Sequence, residues 1–294
     1  MKYNAKFRPI IQLTAAIAQN ANISGFFNGS IYQGPLKNGC VPGLNCYSCP
    51  GAVGSCPIGS LQAVISGHKH NFAFYVVGLL VFFGMLLGRA VCGFLCLFGF
   101  IQDLLYKIPT PKIKVPEKAD RVMRYFKYAV LAVLVIILPV VLTNDFGIGS
   151  PYFCKLLCPA GTLEGGIPMV AANESLRSGL GFLFWWKIGI LAFIILSSVF
   201  IYRPFCKYLC PLGAFYSFFS RLSLFRMNLD ESRCTGCKKC EKACGMNVKV
   251  TQKINSAECI RCGDCKNACP TGAISYSFGF KSRSASSVKA GNVD

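Results

Sequence analysis

Only two of the 294 residues are histidine and only twelve are acidic. The two histidines, His68 and His70, stand too close in sequence for bis-His haem ligation across helices, and no C-x-x-C-H attachment site is present. They read as a solvated interfacial pair. There is no Gly-rich nucleotide fingerprint and no constellation of nucleophile and base, so nucleotide-dependent and hydrolytic chemistry have no sequence support. Charged residues make up only 15% of the chain, while 53% is apolar and mean hydropathy is +0.47. That balance indicates a membrane protein rather than a large soluble core. The net charge of +19 comes with no polar tract of interleaved aromatics, which argues against nucleic acid.

Cysteine, by contrast, is abundant: eighteen residues. From Cys234 the chain reads CTGCKKCEKAC, a fourteen-residue gap, then CIRCGDCKNACP. This is C-x2-C-x2-C-x3-C written twice, the spacing with which thiolates wrap two cubanes and exchange their fourth ligands. The expected sets are Cys234, Cys237, Cys240 and Cys269 for one [4Fe–4S] cluster, and Cys259, Cys262, Cys265 and Cys244 for the other. Structural zinc and disulfides are the alternatives, but zinc sites seldom run as C-x2-C-x2-C.

Apolar runs cover Asn71–Gly88, Tyr128–Leu142 and Leu180–Tyr202, each able to cross a hydrocarbon core of ~30 Å, the middle one with help from its flanks. Pro139 is expected to kink the middle run. Trp185 and Trp186 sit where interfacial aromatics belong, with Lys187 able to snorkel. A fourth run, Phe7–Phe27, is interrupted by Gln12, Gln19, Asn20 and Asn22. It is expected to be a retained first span, a secretory signal peptide being the rival reading. Four spans put both termini on one side, and 26 of the 31 Lys and Arg then fall there. The positive-inside rule makes that side cytoplasmic, in a prokaryotic cytoplasmic membrane.

The remaining ten cysteines recur in order. Cys56-Pro57-x-Gly59-x-Leu61 is echoed by Cys158-Pro159-x-Gly161-x-Leu163, and Arg89-x-x-Cys92-x3-Cys96-x-x-Gly99 by Arg203-x-x-Cys206-x3-Cys210-x-x-Gly213. Two halves of like topology are parallel repeats about an axis along the membrane normal. They would deliver Cys92, Cys96, Cys206 and Cys210 to one inner-face cluster, followed by interfacial helices whose N-termini aim N–H groups at it. The bland alternative is buried apolar thiols. On the outer face lie Cys40, Cys46, Cys49, Cys56, Cys154 and Cys158. Cys49, Cys56, Cys154 and Cys158 are the first choice for an outer cluster, Cys46 is the alternative ligand, and disulfides compete on that oxidising side. Gln62, Gln102 and Asp103 stand near these motifs at what read as ordinary interfacial positions.

The expected architecture is an all-α bundle of four transmembrane helices in two parallel repeats, with a C-terminal α+β two-cluster ferredoxin domain. The first repeat covers 1–105 and a cytoplasmic linker 106–124. The second repeat covers 125–226, the ferredoxin domain 227–280 and a disordered Ser-rich tail 281–294.

RPFCKYLCPLG at Arg203–Gly213, its counterpart RAVCGFLCLFG and the ferredoxin run resemble the four-span membrane polyferredoxins. That family includes the quinol-oxidising ferredoxin-type subunit associated with periplasmic nitrate reductase and the membrane domain of the nitrous-oxide reductase maturation protein. The resemblance implies a conduit between the quinone pool or cytosolic donors and a partner at or across the membrane. Leu97 and Gly245 stand where the family pattern usually has Pro, and the Cys40–Cys56 loop is additional to the nitrate-reductase type, so the partner does not carry over. Lys238, Lys239, Lys242, Lys249, Lys253, Arg261 and Lys266 suggest steering of an acidic soluble ferredoxin or flavodoxin, within a multi-subunit complex. The alternatives are a redox sensor or assembly factor for another redox enzyme, and a metal-handling membrane protein.

Overall fold

The computed structural model describes residues 7–67, 73–145 and 149–279. His68, His70, the start of the second apolar run and the tail from Lys281 lie outside the described residues.

Among the described residues, two helices are long and apolar enough to cross a membrane, Glu117–Val141 and Phe182–Phe200, and two shorter apolar helices are Phe74–Leu86 and Leu97–Tyr106. With Phe7–Gln19, Pro57–Ser66 and Pro211–Phe219 added, the principal helices in chain order are α1 (Phe7–Gln19), α2 (Pro57–Ser66), α3 (Phe74–Leu86), α4 (Leu97–Tyr106), α5 (Glu117–Val141), α6 (Phe182–Phe200) and α7 (Pro211–Phe219).

Helix α5 begins after Pro116 with Glu117 and Asp120 in its first turn, where the helix dipole favours negative charge. Its last charge is Lys127, and the rest is apolar. A π-helical turn over Leu131–Ile137 precedes Pro139, absorbing the missing N–H and the ring where a kink is expected. Both long helices bury little of themselves: 28% of the apolar stretch of α5 and 17% of that of α6. Ile17, Phe82, Val141 and Phe193 are all at least 60% exposed, so apolar side chains face outward from α1, α3, α5 and α6 alike. An apolar surface of that extent needs lipid or a partner against it.

The first apolar run differs from expectation. It forms α1, thirteen residues and ~20 Å long, then a short helix at Ser24–Asn28. The polar residues that interrupt it turn inward: Gln12 donates to Gly93 O at 3.0 Å, Gln19 to Leu95 O at 2.9 Å, and Asn22 to Pro50 O at 2.8 Å. These side chains fasten cysteine-bearing loops, whose backbone carbonyls would otherwise be buried unpaired.

The C-terminal unit begins two residues before the expected boundary. Strand β1 (Phe225–Leu229) pairs antiparallel with β2 (Ile274–Phe278), Phe225 opposite Phe278 and Leu229 opposite Ile274. Between them the chain carries two short helices, Lys239–Lys242 and Asp264–Ala268. This unit docks through buried charge. Arg89 reaches Glu258 at 2.7 Å and Ala257 O at 2.9 Å, and Lys127 reaches Glu258 at 2.6 Å. Arg261, expected on a steering surface, is fully buried and donates to Leu87 O and Ser220 O. Its role is docking, because a buried guanidinium must spend its donors on neighbouring carbonyls. Lys238, Lys239, Lys242, Lys249 and Lys253 are exposed, and Lys266 lies over the Tyr276 ring at 5.0 Å.

Candidate functional site

None of the eighteen cysteines is joined in a disulfide, and the structure gathers them in groups. In the C-terminal unit Cys244, Cys259, Cys262 and Cys265 line one apolar cavity with Met227, Met246, Val248 and Ile254. Cys269 lies beside Cys237 and Cys240 instead, and Cys234 ends the turn Glu231–Arg233. The fourth cysteine of each run thus joins the other run's neighbourhood. Cys237 is exposed, and its thiol is lowered by the Lys239 N–H and the Thr235 hydroxyl.

Deeper in, Cys92, Cys96, Cys206 and Cys210 are all buried and adjacent: burial raises the Cys210 thiol first, and Cys206, Cys92 and Cys96 add to it. Cys96 caps α4 and Cys210 caps α7, and Gly213 N–H points at Cys210 Sγ at 3.4 Å. The two C-x3-C motifs brace each other reciprocally. Arg89 donates to Cys206 O at 3.2 Å, and Arg203 donates to Cys92 O at 2.5 Å.

A cleft of about 820 Å³ is lined by Cys46, Cys56, Cys154 and Cys158. Burial, then Cys154, Cys46 and Cys56, raise the Cys158 thiol, and Gly161 N–H approaches its Sγ at 3.3 Å. Cys49 is set aside: it turns toward Asn20 Oδ1 at 3.5 Å and does not line the cleft, and Cys40 pairs with Ser55 in an isolated bridge. Of these two, Cys46 rather than Cys49 lines the cleft. The cause is Glu164, which accepts the Cys46 N–H at 2.7 Å and pins that residue against Gly161 and Gly165. Burial pushes the Glu164 carboxyl up to about 8.

These sets are close along the chain's own path. Added at Gly43, a Cβ would lie 2.9 Å from Cys96 Cα, so the loop from Cys40 to Cys56 presses directly on the Cys92–Cys96 motif. The Tyr216 ring is buried beside Cys92, Cys96, Cys40 and Cys56, its hydroxyl donating to Pro42 O at 2.9 Å. At Gly93 a Cβ would meet Ile260 O at 2.4 Å, which puts the inner motif against the loop between Cys259 and Cys262. A Cβ at Gly245 would lie 2.5 Å from the Tyr202 ring, so a larger residue there would have to displace that ring.

Three residues read as ordinary are not. Gln62 and Gln102 are fully buried and donate to Cys154 Sγ and Cys206 Sγ at 3.2 and 3.1 Å. Asp103 accepts from Arg203, Arg8 and Gln12. A signal was available for the glutamines: each stands six residues after a motif cysteine, Cys56 or Cys96.

Among the described residues no three His, Cys, Asp or Glu side chains are close enough to hold one metal ion. Two of the sets, Cys244 with Cys259, Cys262 and Cys265, and Cys46 with Cys56, Cys154 and Cys158, instead stand around spaces, with backbone N–H groups aimed at sulfur, and that donor set suits an anionic thiolate cluster of several irons.

The chain matches a 4Fe-4S binding-domain family over residues 70–116, 128–167 and 182–230, and a second 4Fe-4S binding-domain family over 253–275. Two uncharacterized proteins of Methanocaldococcus jannaschii are similar. One is 36% identical over 70% of this chain and 79% of its own length, the other 30% identical over 75% and 77%. The ferredoxin-type protein NapH of Haemophilus influenzae is 24% identical over 69% of this chain and 67% of its own. No solved structure matches. With 4Fe-4S binding domains and these relatives, the chain belongs to the membrane family of 4Fe-4S ferredoxin-type proteins.

Proposed function

We propose that the chain is a membrane electron conduit with four [4Fe–4S] clusters in sequence. Cys234, Cys237, Cys240 and Cys269 hold the first, and Cys244, Cys259, Cys262 and Cys265 the second. Cys92, Cys96, Cys206 and Cys210 hold the inner membrane cluster, and Cys46, Cys56, Cys154 and Cys158 the outer. Each bound cluster supplies one-electron chemistry, taking up and releasing a single electron. The protein's part is to order the thiols, keep water from the inner sets and hold the intervals short.

The observation that carries this reading is the contact of Gly43 with Cys96. An apolar core of ~30 Å separates the faces of a bilayer, too far for one efficient step. Cys46 lies three residues beyond Gly43, at most ~11 Å of extended chain, so the outer loop dips into the bundle and shortens the interval. The reciprocal arginine bonds to Cys206 O and Cys92 O support two parallel repeats in a four-span bundle. The basic balance supports cytoplasmic termini in a prokaryotic membrane.

Exposed Lys238, Lys239 and Lys242 near Cys237 suit an acidic soluble ferredoxin or flavodoxin as cytoplasmic partner, and the outer cleft suits a membrane or extracytoplasmic redox partner in a larger complex. A cleft of about 440 Å³ beside Cys244, walled by Phe100, Tyr106 and Tyr202, is where a quinone from the bilayer would reach the cytoplasmic clusters.

Iron and acid-labile sulfide in anaerobically purified protein provide the test. Four cubanes per chain are expected, and two would reduce the membrane thiols to packing or disulfides. Cys46→Ser should lose one cubane while Cys49→Ser keeps all four; the reverse result would restore the ligand set with Cys49. Reduction by ferredoxin or quinol with re-oxidation at catalytic rates marks a conduit, whereas sluggish exchange without turnover marks a sensor or assembly factor.

A further inference from the structure

Gln62 and Gln102 hold equivalent places in the two membrane cysteine sets. Each is fully buried, and each stands six residues after the second motif cysteine of the first half, Cys56 or Cys96. Each donates to the first cysteine contributed by the second half: Gln62 Nε2 to Cys154 Sγ at 3.2 Å, Gln102 Nε2 to Cys206 Sγ at 3.1 Å. The second donor of each amide goes to the preceding helical turn, at Ile58 O and Phe98 O, both at 3.3 Å. Amide orientation is set by partners rather than by choice. Gln62 Oε1 accepts the Phe153 N–H at 3.0 Å, and in Gln102 the carbonyl Phe98 O can only accept.

The corresponding positions of the second half, Glu164 and Tyr216, do not bond sulfur: Glu164 accepts the Cys46 N–H and Tyr216 donates to Pro42 O. Beside the backbone N–H of Gly161 and Gly213, which reach Cys158 Sγ and Cys210 Sγ, side-chain amide donation to sulfur is supplied once per set, from the first half to the second.

Resting on the four-cluster reading above, we propose that Gln62 and Gln102 are positioning residues that raise the reduction potentials of the outer and inner membrane clusters, respectively. Reduction adds one electron and forms or breaks no bond, so the added charge spreads onto the sulfurs. An N–H donor aimed at a ligand sulfur then stabilises the reduced form more than the oxidised one. Burial excludes water that could replace the donor, so the effect is undiluted by solvent.

The test is an anaerobic redox titration of the full chain in detergent with chemical mediators, followed by electron paramagnetic resonance, with iron and sulfide measured on the same samples. Gln102→Leu and the unbranched Gln102→Met should keep four cubanes and lower the reduced-to-oxidised ratio of one signal about tenfold at fixed potential. For a one-electron couple that is a downward shift of about 59 mV. Gln62→Leu and Gln62→Met should shift a different signal and leave the first in place. Four cubanes with unshifted signals overturn the proposal alone, as does loss of one cubane in both variants at a site, which would make the glutamine a structural support. Wild-type protein holding only two cubanes overturns the proposal together with the reading beneath it.

Discussion

Asp103 carries two arginines. Arg203 reaches it with Nε at 2.7 Å and Nη2 at 2.5 Å, Arg8 with Nη2 at 2.5 Å, and Gln12 adds a bond at 3.0 Å. Burial alone would raise its carboxyl, but Arg203 and then Arg8 hold it below the usual range. Its folded-state pKa is depressed, so its stabilising contribution is present above the ordinary aspartate value and is lost only as pH falls through the lower, folded one. No pH dependence from this group is expected at neutrality. Asp103→Asn leaves the buried Arg203 guanidinium without its carboxylate, and Arg8 with Asp264 at 3.6 Å, and should cost about 3–5 kcal/mol. Thermal unfolding in detergent at neutral pH checks this, and an unchanged midpoint would show that water or lipid compensates the charge. The same residue ties α1 to α4 and to the Arg203 that braces Cys92 O, so the loss should spread to iron content at the inner set.

Among the elements, the short helix Ala90–Phe94 is the hinge of the assembly. It carries Cys92, and its Gly93 lies so close to Ile260 that a Cβ would stand 2.4 Å from the carbonyl oxygen. Gly93→Ala must therefore push the C-terminal unit off its dock, with an overpacking cost of about 1–3 kcal/mol. Hydrogen exchange at the Cys259–Cys262 loop should speed up, and reduction of the membrane clusters by a cytoplasmic donor should slow, while reduction of the two surface clusters stays fast. Equal slowing of all signals would refute an effect confined to this interface. Helix α1 shows a second lesson at this scale. Its polar side chains look like defects in a span, yet Gln12 and Gln19 satisfy carbonyls of the cysteine motifs.

For the whole molecule, the governing contrast is between an apolar belt on α1, α3, α5 and α6 and basic residues gathered at the end that bears the C-terminal unit. Exposed Lys249 and Lys253 belong to that end. Trypsin should cut there in inside-out vesicles and spare the unit in right-side-out ones, and the opposite pattern would invert the topology. Salt should weaken association with an acidic soluble donor, because exposed charges are screened beyond ~8 Å at physiological ionic strength.

Spacing along the chain was enough to determine the two ferredoxin runs and the paired membrane motifs, because cluster ligation and helix capping act over a few residues. It also indicated the apolar belt, since burial in lipid demands contiguous apolar length. Only the tertiary structure decided which of Cys46 and Cys49, three residues apart on one loop, lines the cleft, since Glu164 and Gly165 hold Cys46 there. The buried place of Arg261, the sulfur-directed amides of Gln62 and Gln102 and the inward dip of the outer loop belong to the same class. Each depends on which distant backbone approaches within a few ångströms, and that follows from how the halves pack, not from local spacing.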